Sequence, residues 1–273
     1  MSMLKSSNPV LAEGRLETAL RGAVPAEARA TVGGVVNKTC LALGVAVVFG
    51  AIGNSVVRSH PGILLPVNLV SAVVSLVCAF AIYGRPAWAA VLTPIYAATQ
   101  GFFMGAVALV LDGILAAKGI QVAGGLALQA FLITGGITAA CLLLYRSGMV
   151  RISQRGAFML WCAVLGIGIA YLLSFLVGLF TGTPVPFLSL PTQTGTGNGA
   201  MIGLAINGVV LVVASLVLIL DIQRVDEAVA SGAPASCEWY LAYGVVVTLI
   251  WIYMESLKLA FRIAMIFGGG KRN

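Results

Sequence analysis

Residues 200–221 read AMIGLAINGVVLVVASLVLILD, and their only charged side chain is the last one, Asp221. About 20 predominantly apolar residues is the length that an α-helix needs to cross the roughly 30 Å hydrocarbon core of a bilayer. In water, a helix that is apolar on all sides would have to be buried on all sides. The run therefore predicts a membrane-spanning helix that ends near Asp221.

Six further apolar runs share this character, and short segments rich in charge, glycine or proline separate them. The pattern predicts an all-α, polytopic membrane protein built as a bundle of seven transmembrane helices. We expect a polar N-terminal tail at 1–36, a transmembrane domain at 37–267 and a short C-terminal tail at 268–273. The predicted spans are 39–57, 64–83, 88–112, 122–145, 157–180, 200–221 and 240–263.

Composition supports a membrane location. Of the 273 residues, 60% are hydrophobic and 9% are charged, whereas about 25% are charged in an ordinary soluble domain. The mean hydropathy of +1.03 agrees. The sequence contains no P-loop, no Rossmann glycine motif, no GxSxG and no HExxH. We therefore expect no enzymatic activity, and we rank an intramembrane enzyme third among the possible functions.

The net charge of +7 does not indicate nucleic-acid binding, because the basic residues stand singly between apolar runs instead of forming a stripe interleaved with aromatics. Four of the five cysteines lie inside apolar runs, no CxxC pair occurs, and His60 is the only histidine. Neither a metal centre nor a cofactor is expected from these residues.

Membrane orientation follows from the positions of the lysines and arginines, which are enriched in cytoplasmic loops. Seven spans place ten of them on the side of the N-terminus and six on the other side. This bias predicts a cytoplasmic N-terminus. The basic C-terminus is discordant and leaves six or eight spans open. The ten are Lys5, Arg15, Arg21, Arg29, Lys38, Arg85, Arg146, Arg151, Arg155 and Arg224; the six are Arg58, Lys118, Lys258, Arg262, Lys271 and Arg272.

Three acidic residues within or at the ends of the apolar runs are candidates for function, because an ionisable side chain is costly in lipid. Asp112 closes the third run, where headgroup exposure accounts for it. Asp221 closes the sixth run. Glu255 lies within the last run on a polar helix face, and a local pair with Lys258 one turn on is an equally good explanation of it.

Seven short segments, in order along the chain, resemble the bacterial YccA-like branch of the transmembrane Bax inhibitor motif family. Similarity of this kind extends over nearly the whole sequence. The segments are SNPVL (7–11), YAATQGFFMG (96–105), LYRSG (144–148), LD (220–221), GAP (232–234), EWY (238–240) and VTLIWIYME (247–255).

The resemblance implies a seven-helix fold with the last helix central, in the inner membrane of a bacterium. It also implies a pH-sensitive leak for Ca²⁺, gated by protons at an acid pair. Asp221 matches the first acid, and Glu255 matches the second, which is usually Asp in characterised leak proteins. Arg85 is the nearest match to a supporting basic residue, and Gln100 stands where many relatives have Glu.

Contact between Asp221 and Glu255 requires a particular arrangement. The sixth helix has to continue to about Ala230, because a helix ending at Asp221 would leave the two acids on opposite sides of the membrane. We predict this continuation, and we predict that the two carboxyl groups lie close enough to share a proton or a bridging water. Ca²⁺ would then bind only transiently, because it prefers more oxygen ligands than two carboxylates supply.

Two other functions remain open. YccA-like relatives are associated with a membrane-bound ATP-dependent protease, and the N-terminal tail is the expected contact in that case. Alternatively, the chain is a structural subunit of a larger membrane complex. The lipid bilayer is the partner common to all three hypotheses.

Overall fold

The computed structural model describes residues 29–181 and 198–268, and these residues form a bundle of seven long α-helices. The N-terminal tail up to residue 28, residues 182–197 and the last five residues lie outside this part of the chain. Three short 3₁₀ turns, Pro61–Ile63, Pro86–Trp88 and Ala235–Cys237, join consecutive helices. The helices are α1 (Val32–Ser59), α2 (Leu64–Gly84), α3 (Ala89–Ala117), α4 (Gly125–Arg146), α5 (Gln154–Thr181), α6 (Asn198–Ala230) and α7 (Glu238–Phe267).

Each helix overlaps one of the seven predicted spans, and the largest difference at a helix start is in α1. This helix begins at Val32, before the predicted transmembrane domain. Thr31 caps it: the threonine hydroxyl accepts a hydrogen bond from the backbone N–H of Gly34 at 2.9 Å, which satisfies a helix N–H that otherwise lacks a partner. The predicted continuation of α6 to about Ala230 is confirmed.

Six of the helices in the described residues are long and apolar enough to cross a membrane. The apolar helix 69–84, within α2, is shorter. Many large apolar side chains are exposed on the surface of the helices, including Val73, Phe80, Leu143 and Val209. Exposed apolar residues in such numbers are expected where the solvent is lipid. The chain is therefore a multi-pass helical membrane protein.

The connections between helices meet at the two ends of the bundle. Ala30, before α1, donates its N–H to the carbonyl of Ala233 in the α6–α7 connection at 2.7 Å. The α2–α3 turn contacts the turn that precedes α7, and Gln223 near the end of α6 bonds to the backbone of Ile152 in the α4–α5 connection. At the opposite end, the α3–α4 connection packs beside the end of α7. The segments at the first of these ends carry Arg29, Arg85, Arg146, Arg151 and Arg155. Most of the described basic residues that were predicted on the side of the N-terminus therefore share one end of the bundle.

The last helix contacts α1, α3, α4 and α6 and buries residues along its whole length. Helices α1 and α3 approach each other most closely, through glycines. A Cβ atom on Gly101 would overlap the backbone of Ala46, and one on Gly105 would overlap the backbone of Gly50. Small residues four positions apart, such as Gly101 and Gly105, allow close packing of helices in lipid.

Candidate functional site

The face of α7 that carries polar residues points into the bundle. Thr248, Glu255, Ser256, Lys258 and Arg262 are all buried. The sequence shows why they share a face, since steps of three, four and seven residues return to the same side of an α-helix. A buried polar face on a membrane helix is unusual, because each of its charges has to find a partner inside the protein.

Glu255 is the centre of this face and is only 1% exposed. Its Oε1 accepts hydrogen bonds from the Lys258 Nζ at 2.6 Å and from the Tyr171 hydroxyl of α5 at 2.9 Å. Its Oε2 accepts one from the Asn207 Nδ2 of α6 at 2.7 Å. The single carboxylate therefore connects three helices.

Lys258 and Arg262 place two positive charges beside this one carboxylate. The Lys258 Nζ also donates to the Tyr171 hydroxyl at 2.9 Å. Arg262 lies against α6 where Gly203 leaves room, since a Cβ on Gly203 would overlap its guanidinium group. From the sequence, Lys258 and Arg262 were counted among the basic residues that indicate membrane orientation, and the structure corrects this. Because they are buried in the bundle beside Glu255, they do not belong to a loop, and the discordant charge of the C-terminal region is smaller than it seemed.

Asp221 belongs to a separate group closer to the end of α6. Its Oδ2 accepts a hydrogen bond from the Thr248 hydroxyl at 2.6 Å, and its Oδ1 lies 3.9 Å from the Arg224 Nη1. The Arg224 guanidinium in turn lies 5.2 Å from the centre of the Trp161 ring of α5. This group joins the same three helices as Glu255 does, at a different depth.

From the sequence we predicted that the carboxyl groups of Asp221 and Glu255 lie close together. The structure does not join them in one hydrogen-bonded pair. Asp221 contacts Thr248, which precedes Glu255 by seven residues on α7, or about 10 Å along the helix axis. Tyr171, Asn207 and Lys258 bond to Glu255 at the other end of this seven-residue interval. The longer α6 was necessary for contact, but the register of α7 brings Thr248 to Asp221 instead.

The three supporting residues lie elsewhere in the bundle. Arg85 caps the end of α2 with its backbone N–H, which donates to the Ala81 carbonyl at 2.8 Å, and its guanidinium group lies 5.0 Å from the Trp88 ring centre. Gln100 of α3 donates hydrogen bonds to the hydroxyl groups of Ser71 and Ser75 on α2. The Asp112 Oδ1 accepts the backbone N–H of Leu126 at 2.9 Å, in the first turn of α4. In the structure, each of the three contacts neighbouring helices or turns.

Two residues of the Glu255 group, Tyr171 and Asn207, were missed from the sequence. The signal was present, because Asn207 is the only amide in the run 200–220. A polar side chain in a lipid-spanning helix calls for a partner on another helix. Among the described residues, no three His, Cys, Asp or Glu side chains are grouped as metal ligands would be.

The described residues thus form a multi-pass helical bundle in which the Glu255 carboxyl group is buried at the contact of three helices. The family model for Bax inhibitor 1 like proteins matches residues 8–265. The chain therefore belongs to the Bax inhibitor 1 like family, as its sequence motifs suggested. Searches of curated proteins and of solved structures each find no match to it.

Proposed function

We propose that this protein is a proton-controlled leak for Ca²⁺ or a related cation in the inner membrane of a bacterium. The observation that carries the proposal is the burial of Glu255 with its carboxylate bonded to α5, α6 and α7. An ionisable group held inside a membrane bundle is expensive, so it is retained where protons or ions pass or are sensed. The association of the family with Ca²⁺ leak agrees with this role.

Glu255 acts as the latch of the closed bundle. Its negative charge holds the Lys258 ammonium group and accepts hydrogen bonds from Tyr171 and Asn207. Protonation of the carboxyl group removes that charge and leaves the buried Lys258 ammonium group without its counter-charge at Glu255. Because unpaired buried charges strongly disfavour a packed state, a fall in pH loosens the contact of the three helices.

Asp221 serves as a second acidic position on the same pathway. It lies on the α6–α7 contact about 10 Å from the level of Glu255 along α7, so a cation would meet the two carboxyl groups in succession. Single carboxylates at separate depths bind Ca²⁺ weakly, since tight sites use six to eight oxygen ligands. Weak binding suits downhill leak, and the protein is proposed to act without catalysing a reaction and without a cofactor.

The topology proposed here is seven crossings, with α7 central and the N-terminus in the cytoplasm. The proposal is supported by the contacts at the two ends of the bundle. The segment before α1 and the α2–α3, α4–α5 and α6–α7 connections are linked to one another by contacts at one end. Under this arrangement α2 crosses the bilayer together with the six longer helices.

The test is Ca²⁺ flux into liposomes that contain the purified full-length protein, measured over a range of pH with Asp221→Asn and Glu255→Gln beside the wild type. Each substitution removes one titrating group, so each should change the pH profile. Glu255→Gln should leak at neutral pH, because the neutral amide resembles the protonated acid. Unchanged pH profiles in both variants would remove the two acids from the mechanism.

The second candidate is an interaction protein that regulates a membrane-bound ATP-dependent protease. The pairing of Ala30 with Ala233 favours it, because this contact fixes where the tail leaves the bundle. The experiment is a pull-down of the protease with full-length protein and with a variant lacking residues 1–28, which keeps Ala30 in place. Loss of capture with intact membrane insertion is expected if the tail is the contact. Equal capture by both proteins would end that role, and a purely structural subunit would show neither flux nor capture.

A further inference from the structure

We propose that the Lys258 ammonium group is a tethered cation, which occupies the position at Glu255 that a mobile cation would need. The inference rests on the proposed function, since it names what keeps the pathway closed to cations at neutral pH. It assigns Lys258 a role in specificity that neither the acid pair nor the family match supplies.

The first observation is that the ammonium group has the surroundings of a bound cation. The Lys258 Nζ lies 2.6 Å from Glu255 Oε1 and 2.9 Å from the Tyr171 hydroxyl oxygen. It also lies 4.7 Å from the centre of the Tyr171 ring. A carboxylate, a phenol oxygen and an aromatic face are the groups that attract a cation in a dry site.

The second observation is a spare acceptor beside these groups. Asn207 is 4% exposed, and its Nδ2 donates to Glu255. The Asn207 Oδ1 is buried with no hydrogen-bond partner in the structure. Buried acceptors are nearly always paired with a donor, an ordered water or an ion. The oxygens of Glu255, Tyr171 and Asn207 therefore offer more acceptor capacity than the Lys258 ammonium group uses.

The third observation is the balance of charge around Glu255. The groups that the described residues place around Glu255 are Lys258 and Arg262 of α7, Tyr171 of α5 and Asn207 of α6, while the Thr134 hydroxyl of α4 lies 3.3 Å from the neighbouring Ser256. No second acid is among these groups. A divalent cation would therefore meet two fixed positive charges and one negative charge, and Lys258 has to leave before a cation can bind.

Removal of the Lys258 charge should reverse this exclusion. When Lys258 is replaced, the buried Glu255 carboxylate loses the ammonium group bonded to it, so it takes up either a proton or another cation in that place. In Lys258→Met, at a pH where the carboxyl group is ionised, a cation with affinity for oxygen should bind at Glu255. Lys258→Arg keeps the positive charge and should exclude cations as the wild type does.

The experiment uses Tb³⁺, an oxygen-seeking ion of about the size of Ca²⁺, on the full chain in detergent at neutral pH. Its emission is excited through nearby aromatic rings, and Tyr171 is in contact with the site. We expect Lys258→Met to raise the emission at least about fivefold over the wild type, the lower end of typical coupling between two sites. Lys258→Met combined with Glu255→Gln should return to the wild-type level, and Lys258→Arg should stay there.

Two results would overturn the proposal: no gain in Lys258→Met, or a gain of equal size when Glu255→Gln is added. Emission from the wild type that disappears in Glu255→Gln would also overturn it, because Lys258 would then not exclude the ion. If Lys258→Met does not give a monodisperse protein, Lys258→Gln is held to the same outcomes. Absence of Ca²⁺ flux by the wild type at every pH contradicts the proposed leak and leaves the Tb³⁺ result to decide the cation site by itself.

Discussion

Glu238 is a buried acid at the start of α7, and the pattern of apolar runs does not single it out. Its carboxylate accepts the Thr31 backbone N–H at 2.8 Å and forms an ion pair with Lys38. A Cβ on Gly34 would overlap this carboxylate, so the small residue makes room for it. One acid at the start of α7 thus holds the start of α1.

Glu238→Gln should destabilise the protein. The amide keeps the shape of the side chain but loses the charge that pairs with Lys38, and a hydrogen bond to a charged group contributes about 1.5–3 kcal/mol. We expect a lower Tm in detergent, followed by tryptophan fluorescence. The matched control is Glu227→Gln, since Glu227 is exposed and its carboxylate accepts a hydrogen bond from Gln223 on the same helix. Equal Tm values for the two variants would contradict this role of Glu238.

At the same scale, the sequence identified the acids of the site but not their partners. Asp221 and Glu255 stood out because charge is rare in apolar runs. Which side chain meets which depends on the rotation and the depth of α7 against α6, and these are set by packing of side chains from four other helices. The pairing of Glu255 with Lys258 was the exception, because residues three apart on a helix are neighbours in any fold.

At the scale of the helices, the contact of α1 with α3 depends on glycines at four-residue spacing. Gly105→Ala should separate the two helices, because the added Cβ meets the backbone of Gly50 and backbone cannot move aside as a side chain can. Overpacking of this kind costs about 1–3 kcal/mol. The measurement is again the Tm in detergent.

Gly113→Ala is the matched control for this prediction, since Gly113 lies on the same helix and a Cβ there meets nothing within 4 Å. Alanine is also the better helix former, so Gly113→Ala should keep or raise the Tm. A Gly105→Ala protein as stable as Gly113→Ala would mean that α1 and α3 do not pack as closely as described.

The helices themselves could be predicted, because long apolar runs and the turn residues between them are visible in the sequence. Their exact ends were less so. The N-terminus of α1 depends on the cap at Thr31 and the partner at Glu238, which are separated by 207 residues in sequence. Hydropathy averaged over a short stretch of sequence cannot reveal a contact between two residues so far apart in the chain.

At the scale of the whole molecule, the orientation in the membrane is open to a direct test. With the N-terminus in the cytoplasm, a reporter fused at Arg151 should be cytoplasmic and one fused at Gln193 should be external. The two sites flank α5, and the basic residues of the α4–α5 connection favour the cytoplasm. Both reporters on the same side would contradict the seven crossings.

The central claim is that cations cross this bundle under the control of protons, and Ca²⁺ flux into liposomes containing the wild-type protein at several pH values tests it most directly. Protonation of Glu255 releases Lys258 and loosens the contact of α5, α6 and α7. The account therefore predicts flux above that of protein-free liposomes, rising as the pH falls. Flux equal to that of protein-free liposomes at every pH, or flux that does not vary with pH, would contradict it.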